Sequence, residues 1–465
     1  MRLVQRHFAE LEELEAEQGT SLPNFVRREF ADLLSCGSLG NGFVRLKCDS
    51  CSFERFVAFS CKSSTLCPSC AARRMFSFAE RLTESVFPDQ PLRQWVISPP
   101  SELVAILGAR SEVMMRMVQL FSRAITRVYE SKSRLGGLTE GQTGSVCFLQ
   151  RFSSTLRLYP HLHSLVLDGV FSKTGDQAAV FHRLKAPSQT EVDEVAHEVT
   201  VGLARFLEKL GLVQKEPPSD ETQLTPLDRW YANVVRDFDV LAEKDADGKL
   251  SRSTQPRARK ERSTHGFEVH AKVRVAALDR EARLRLVRYV LRPPLAHDQL
   301  TQLEDRSISF ELRNSAKARG RGSYVILDPI VLLRRLAWII PPPFKNQIIY
   351  SGVFAGHAKL RKEIIPKRPS KAREVRLDLP PPPVPPLDVI LANSEISPEE
   401  TQPDTYIPWA DLLRRTYQID ALRCERCNGR LRPIATISAK LAPKILQHLG
   451  MDSKVPKLRP ARGPP

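Results

Sequence analysis

Two Cys-x2-Cys pairs near the start of the chain constrain its fold more than any other feature. The pairs are Cys48/Cys51 and Cys67/Cys70, and fifteen residues separate them. This spacing can bring four thiolates onto one tetrahedral zinc ion through two tight turns, so it predicts a zinc-binding module. Four sulfur ligands leave no open coordination position, which favours a structural ion over a catalytic one.

The remaining cysteines leave the number of metal ions open. Cys36 and Cys61 add two sulfurs to the same stretch, so a second metal or an exchange of ligands is compatible with the sequence. Cys424-x2-Cys427 has no later cysteine to complete a site; a half-site or a plain turn is favoured, although the pair could borrow ligands. Because the cysteines gather as metal ligands do, we expect a reducing, cytoplasmic setting at the nucleoid.

Basic residues dominate the charge of the chain. Seventy Lys and Arg against 53 Asp and Glu give a net charge of +17, which is typical of a polyanion binder and points to DNA. On charge alone, a ribosome-associated or anionic-membrane protein is the alternative. No apolar segment is long enough to span a bilayer, so we expect no membrane partner. Candidate DNA contacts are Arg73 and Arg74, just after Cys70, and Lys272 on a predicted basic strand face.

A histidine pair lies within a predicted pair of strands. Residues 145–152 and 156–171 are rich in Val, Phe, Leu and Tyr and are bounded by Gly and Pro, which predicts two adjacent strands. Residues two apart in a strand point to the same side, so His161 and His163 present their imidazoles together while Leu162 faces away. Two imidazoles so placed can hold one divalent ion.

The third ligand of such an ion has two candidates. Gln150, on the preceding strand, could face His161 across the hairpin. His270 lies on the predicted strand 267–275 and is the rival. Asp168 lies off the face that carries the histidines and is expected to be a turn residue at the end of the strand.

A tyrosine lies on a predicted arginine-rich helix. The segment DREARLRLVRYVL is expected to be helical and to end before Pro293 and Pro294. Tyr289 would share a face with Arg285 at i−4 and Arg292 at i+3, whose guanidinium groups could hold a phosphate beside the phenol. From this pattern alone, a core tyrosine on an amphipathic helix is the alternative.

Several motifs in this order resemble one family across nearly the whole chain. The His-Leu-His pair followed by a tyrosine helix resembles the HUH endonucleases. The order of CDSC, SCKSSTLCPSCAARRM, LQRFSSTLRLYPHLHSLVLDGVF, GFEVHAKVRV, RYVLRPPLA, IPPPFKNQIIYSGVFAGHAKLRKEIIP and RCERCNGRLRPIATI resembles the rolling-circle transposases of the IS91 and insertion-sequence common-region type, with an N-terminal zinc-binding domain.

This resemblance implies a nucleophile and a chemistry. The segment matching RYVLRPPLA carries the nucleophile in family members, which assigns that role to Tyr289. An active-site Mg²⁺ or Mn²⁺, a structural zinc ion, single-stranded or hairpin DNA ends as substrate and a covalent 5'-phosphotyrosine are implied. Two-tyrosine members have a second tyrosine four residues earlier, where this chain has Arg285, so it resembles a single-tyrosine member; a homodimer would offer a second tyrosine. The alternatives are a replication initiator or relaxase with the same chemistry, or a non-catalytic zinc-finger DNA-binding protein.

The expected fold is α+β. An HUH nuclease core, an antiparallel sheet flanked by helices, would follow an N-terminal helical and zinc-binding module and precede a small C-terminal domain. We predict boundaries at 1–90 for the zinc-binding module, 91–300 for the catalytic domain, 301–370 for its extension, 371–402 for a Pro-rich linker and 403–465 for the C-terminal segment.

Overall fold

A computed structural model describes residues 1–62, 64–175, 177–213, 225–241, 266–296, 298–312, 323–366 and 420–458. Helices in these ranges are α1 (Arg2–Glu17), α2 (Asn24–Ser35), α3 (Pro68–Ser85), α4 (Ser101–Ala109), α5 (Ser111–Leu135), α6 (Gln189–Lys209), α7 (Pro226–Leu241), α8 (Arg280–Val290), α9 (Pro329–Ile339), α10 (Arg361–Ile364) and α11 (Ala442–His448). Strands are β1 (Gly42–Cys48), β2 (Glu54–Ala58), β3 (Leu92–Ser98), β4 (Gly144–Phe152), β5 (Leu158–Leu167), β6 (Gly169–Ser172), β7 (Val180–Arg183), β8 (Glu268–His270), β9 (Arg274–Val275), β10 (Leu300–Gln302), β11 (Ile308–Glu311), β12 (Tyr324–Leu327), β13 (Ile348–Gly352) and β14 (Leu431–Ser438).

An antiparallel sheet forms the centre of the chain, with strand order β13-β4-β5-β3-β8 and β9 beside β3. The predicted strand pair is confirmed: β4 and β5 form a hairpin in which Gln150 lies opposite His161 and Phe148 lies opposite His163. The sheet has helices on both faces, so the expected α+β class is confirmed.

The two faces of this sheet bury different sets of side chains. On one face, Trp95, Leu162 and Phe267 join α4, α5, α6 and α7 in one apolar core. On the other face, Phe148 and Leu165 pack with Val287 of α8 and with α3. Because α8 covers the face that carries the histidines, its C-terminal end lies beside them.

The N-terminal module has its own core and its own sheet. Helices α1 and α2 pack with α9 around Phe8, Phe30 and Leu333, which are fully buried. Beside them lies a three-stranded sheet of order β14-β1-β2. The C-terminal strand β14 pairs antiparallel with β1, so the segment predicted as a separate C-terminal domain shares a sheet with the N-terminal module.

One helical stretch and one predicted strand are interrupted in the structure. Helices α4 and α5 are separated at Arg110, whose backbone is extended. The strand expected over 267–275 is divided into β8 and β9 because the three residues 271–273 stand opposite only two residues of β3, Gln94 and Trp95. There the Ala271 carbonyl accepts a hydrogen bond from the buried Arg93 guanidinium at 2.9 Å. The predicted linker 371–402 lies outside the described residues.

No helix in the described part of the chain combines the length and the apolar character that a membrane span requires.

Candidate functional site

The histidine pair lies on β5 at the floor of a cleft. His161 and His163 are 8% and 3% exposed, and their ring centroids are 5.0 Å apart. Leu162 between them points into the core on the opposite face and is fully buried. The alternation of a β-strand therefore places both imidazoles on one side, as the sequence predicts.

Hydrogen bonds on Nδ1 orient the two rings. His161 Nδ1 donates to the carbonyl of Tyr159 at 2.8 Å, which leaves the Nε2 lone pair available to a ligand. His163 Nδ1 lies 2.8 Å from the side-chain amide nitrogen, Nε2, of Gln94 on β3. Turning the Gln94 amide by 180° about its terminal bond would place its oxygen there to accept from Nδ1–H, and the His163 Nε2 lone pair is then likewise available. His163 Nε2 is buried, and no hydrogen-bond partner for it exists among the described residues.

Burial keeps both histidines neutral at physiological pH. Loss of hydration, opposed by the hydrogen bond to the Tyr159 carbonyl and assisted by the charge of Arg292, lowers the pKa of His161 to about 4. Loss of hydration, followed by the positive charges of His161 and Arg292, lowers the pKa of His163 to about 3. Neutral imidazoles are the form that coordinates a metal ion.

Gln150 connects the histidines to the tyrosine helix. Its Nε2 donates to the carbonyl of Val290, at the end of α8, at 2.6 Å. Its Oε1 is buried, and nothing in the described part of the chain bonds to it. An amide oxygen in this position, opposite His161 in the ladder, is a suitable ligand for a hard divalent cation.

His270 borders the same cleft from the other side of β3. It lies opposite Val96, which in turn lies opposite His163. The His270 side chain is exposed, whereas Gln150 is buried between β4 and α8. Of the two predicted candidates for the third ligand, His270 therefore lines the cleft, whereas Gln150 is not among its lining residues.

Tyr289 lies at the mouth of the cleft near the end of α8. Asp279 caps the start of the helix, because its side chain accepts a hydrogen bond from the N–H of Ala282 at 2.9 Å. The helix ends before the Pro293-Pro294 pair, as expected. Tyr289 is 40% exposed, and its ring centroid lies 5.9 Å from that of His163 in an edge-on arrangement. The guanidinium of Arg292 lies over the Tyr289 ring, 4.7 Å from its centroid.

The cleft has a volume of about 1320 Å³ and a mixed polar and apolar lining. Its lining includes Gln94, Tyr159, His161, His163, Tyr289 and Arg292. Phe152, Arg157 and the serine- and threonine-containing turn between β4 and β5 extend the lining. The fold thus brings together the predicted histidines, tyrosine and one arginine from separate parts of the chain.

The other predicted DNA contacts lie elsewhere. Arg285 and Lys272 are exposed and lie outside the lining of the cleft. Arg73 donates to the Ser60 hydroxyl at 2.6 Å, and Arg74 donates to the Ser64 carbonyl at 2.7 Å. Both of these arginines therefore brace the cysteine module, and their contact with DNA stays a prediction.

Sequence reasoning missed Gln94 and the ion pairs of Asp168. Gln94 is a buried polar residue that follows Arg93 and precedes the apolar Trp95, Val96 and Ile97 of β3, and that polar position within a buried strand was the available signal. Asp168 is buried and accepts two hydrogen bonds from Arg93, at 2.6 and 3.0 Å, and one from Arg274 at 2.8 Å. It is therefore an ion-pairing residue that connects β3, β5 and β9, in addition to ending its strand.

The cysteines form two clusters whose membership differs from the predicted set. The predicted ligands Cys48 and Cys51 lie apart from Cys67 and Cys70, because the first pair occupies the turn between β1 and β2 and the second begins α3. One cluster contains Cys36, Cys61, Cys67 and Cys70, and the other contains Cys48, Cys51, Cys424 and Cys427.

Sulfur spacing in the first cluster matches a tetrahedral zinc site. Cys36 Sγ lies 3.6 Å from Cys70 Sγ and 3.5 Å from Cys67 Sγ. A zinc ion with bonds of about 2.3 Å separates its sulfur ligands by about 3.8 Å. Hydrogen bonding from the Cys61 thiol lowers the pKa of Cys36 to about 7, which favours the thiolate that a metal requires.

Comparison with known protein families gives two matches. Residues 3–98 match the transposase zinc-binding domain of the IS91 type, and residues 144–362 match a transposase family named Y2_Tnp. The first match covers the cluster of Cys36, Cys61, Cys67 and Cys70, and the second covers β5 and α8. No curated protein and no solved structure matches the chain.

Proposed function

The chain belongs to the IS91-type transposases, and we propose that it nicks and rejoins single-stranded DNA at transposon ends through a covalent bond between Tyr289 and a 5' phosphate. One observation supports this mechanism above the others. The Tyr289 ring lies 5.9 Å from the ring of His163 in a shared cleft, although the two residues come from different elements.

The histidines of the cleft and Gln150, which lies opposite His161 in the sheet, fit a divalent metal ion. His161 and His163 are neutral, and Gln150 Oε1 and His163 Nε2 are buried without a hydrogen-bond partner in the described chain. Leaving such atoms unpaired is costly, and a cation would satisfy both. We assign His161, His163 and Gln150 as ligands of Mg²⁺ or Mn²⁺, whose role would be to withdraw charge from the phosphate and from the departing 3' oxygen.

Tyr289 is proposed to act as the nucleophile. Its Oη attacks the phosphorus atom, and the bond from phosphorus to the 3' oxygen breaks. The phenol proton passes to water, because Tyr289 is partly exposed at the mouth of the cleft, and the departing 3' oxygen gains a proton. Arg292, which lies over the Tyr289 ring, would hold the negatively charged phosphate during this attack.

The covalent product explains how a strand can be rejoined without ATP. The phosphotyrosine bond keeps the energy of the phosphodiester, so a later 3' hydroxyl can attack the phosphorus and release Tyr289. Because the chain has Arg285 where two-tyrosine members have a second tyrosine, one tyrosine per chain would act in sequence or together with that of a second copy.

The cleft favours a single strand over a duplex. Phe152 and Tyr159 line it with partly exposed rings on which bases can stack, and Arg157 lies beside them to contact the backbone. A phosphate within a duplex would be held away from His161 and His163, which are nearly buried at the cleft floor. We therefore expect extruded or hairpin DNA as the substrate.

The N-terminal module is proposed to carry a structural zinc ion on Cys36, Cys61, Cys67 and Cys70. Three of these cysteines are buried, and together they offer no open position for a substrate. The zinc would hold the end of α2 against the start of α3, and the module would bind DNA next to the cleaved strand.

The test is a covalent adduct with single-stranded DNA. Wild type, Tyr289→Phe and Tyr159→Phe are incubated with Mn²⁺ and 5'- or 3'-labelled oligonucleotides that cover the hairpins at the element's ends. Tyr159 is the matched control because it lines the same cleft, with its ring 5.6 Å from that of His161. We expect adducts from wild type and Tyr159→Phe, none from Tyr289→Phe, and mass-spectrometric mapping of the DNA to Tyr289.

Two results would contradict parts of this proposal. An adduct that persists in Tyr289→Phe, or that maps to Tyr159, would remove Tyr289 as the nucleophile. Absence of an adduct from wild type on every hairpin derived from the element would remove the nuclease mechanism.

A further inference from the structure

Two similar cysteine turns, one from each end of the chain, face each other beside the N-terminal sheet. In the first turn, the N–H of Cys48 donates to the carbonyl of Phe53 at 2.8 Å. In the second, the N–H of Cys424 donates to the carbonyl of Gly429, also at 2.8 Å. The two donors therefore close loops of the same length around a Cys-x2-Cys pair.

The residue after the second cysteine is equivalent in the two turns as well. Ser52 and Asn428 have positive φ angles of 56° and 59°. Backbone N–H groups also point at sulfur in both: Ser50 donates to Cys48 Sγ and Gly429 donates to Cys427 Sγ, each at 3.4 Å. Hydrogen bonds of this kind stabilise a thiolate, which is the form of cysteine that coordinates metal.

Sulfur atoms of the two turns meet at the spacing of a tetrahedral site. Cys48 Sγ lies 3.5 Å from Cys427 Sγ, and Cys51 Sγ lies 3.7 Å from Cys424 Sγ. All four sulfurs lie within 4.8 Å of one another. These separations agree with the value of about 3.8 Å between sulfurs on one zinc ion, whereas a disulfide would require about 2.05 Å.

The surrounding structure holds the two turns in place. Strands β1 and β14 pair from Gly42–Ser438 to Cys48–Leu431, immediately before and after the respective turns. Leu46 and Leu431 are buried beneath them together with Cys48 and Cys424. The site is thus supported by a sheet and a small apolar core, in contrast to a chance meeting of exposed thiols.

We propose that Cys48, Cys51, Cys424 and Cys427 bind a second structural zinc ion, which fastens the C-terminal segment 420–458 to the N-terminal module. Cys424 and Cys427 lie outside both stretches that match known families. The N-terminal module is therefore discontinuous in sequence, and its second metal site is completed by residues 373 positions further along the chain.

Zinc content of the full-length protein tests this site. We expect two zinc ions per chain in wild type and in the control Cys147→Ala, since Cys147 is buried in β4 away from both clusters. We expect one ion in Cys424→Ser/Cys427→Ser and one in Cys36→Ser/Cys67→Ser. One zinc ion in wild type, or two in Cys424→Ser/Cys427→Ser, would overturn the proposal.

A second experiment uses no cysteine variant, so its result does not depend on whether such variants fold. A site for a sequence-specific protease is inserted after residue 390, and the purified protein is cut under reducing conditions. The C-terminal fragment should co-elute with the remainder in gel filtration while zinc is present and separate after a chelator removes the zinc. A fragment that separates in the presence of zinc, or that stays bound after zinc is removed, would overturn the proposal that the second zinc ion holds the C-terminal segment on the N-terminal module.

Discussion

Binding of Mn²⁺ by this protein should be almost unchanged between pH 7.5 and pH 5. Protons compete with a metal only where they occupy its ligands, and burial lowers the pKa of His161 to about 4 and that of His163 to about 3. At pH 5 about one tenth of His161 and about one hundredth of His163 would therefore be protonated. The expected loss of affinity is less than twofold.

Ordinary histidines would behave very differently. With a pKa of about 6.5, only about one imidazole in thirty is neutral at pH 5, and two such ligands would weaken binding about a thousandfold. The affinity for Mn²⁺ at pH 7.5 and at pH 5 can be measured by electron paramagnetic resonance, because this method quantifies free Mn²⁺ directly. The zinc-loaded full-length protein is titrated with Mn²⁺ at both pH values, and the variant His161→Ala/His163→Ala reports Mn²⁺ that binds elsewhere on the protein. A loss of affinity above tenfold would refute the reasoning that links burial of the pair to metal binding.

The lowered pKa values of His161 and His163 also predict how the stability of the Mn²⁺-free protein depends on pH. Because the folded-state pKa values lie below those of an unfolded chain, the unfolded chain binds more protons between about pH 4 and pH 6.5. The contribution of the pair to the free energy of unfolding is fully present above about pH 6.5 and is lost as the pH falls toward 4. Thermal denaturation should show a smaller decrease across this window for His161→Asn/His163→Asn than for wild type.

Two further predictions concern residues around the pair. Gln94→Leu should weaken Mn²⁺ binding by about 10- to 100-fold while Gln94→Glu retains it, because the side chain here contacts His163 Nδ1 and, with an oxygen turned toward Nδ1–H, would orient His163 for coordination. Equal affinity of Gln94→Leu and wild type in the same titration would contradict this role. Asp168→Asn should lower the free energy of unfolding of the central sheet by about 3 to 5 kcal/mol, because it leaves the buried Arg93 without its paired carboxylate. A shift in urea denaturation no larger than that of the exposed control Glu304→Gln would contradict this account.

Local periodicity was sufficient to predict the parts of the site that lie on single elements. The alternation in β5 places His161 and His163 on one face, and the hairpin register places Gln150 opposite His161. The helix that carries Tyr289 begins at an aspartate cap and ends before a proline pair, both visible in the sequence. These features depend on residues that are close in the chain, so short-range rules determine them.

Contacts between distant elements could not be predicted in the same way. Gln94 reaches His163 only because β3 inserts between β5 and β8, and this strand order does not follow the order in the sequence. The structure likewise brings Arg292 into the cleft and leaves Arg285 outside it, although both were expected beside Tyr289. Arg285 is exposed on α8, and Arg292 follows the end of that helix and lies over the Tyr289 ring, so helical spacing alone did not decide which arginine reaches the cleft.

The cysteines show why spacing alone was an insufficient guide to ligand sets. Each Cys-x2-Cys pair supplies half of a tetrahedral site, and the sequence offers three such pairs, so the partner of each half is decided by which turns the fold brings together. Pairing of β1 with β14 brings the turn at Cys424 to the turn at Cys48. Cys67 and Cys70 are then completed by Cys36 and Cys61, which carry no Cys-x2-Cys signature. The long-range strand pairing thus determines the membership of both clusters.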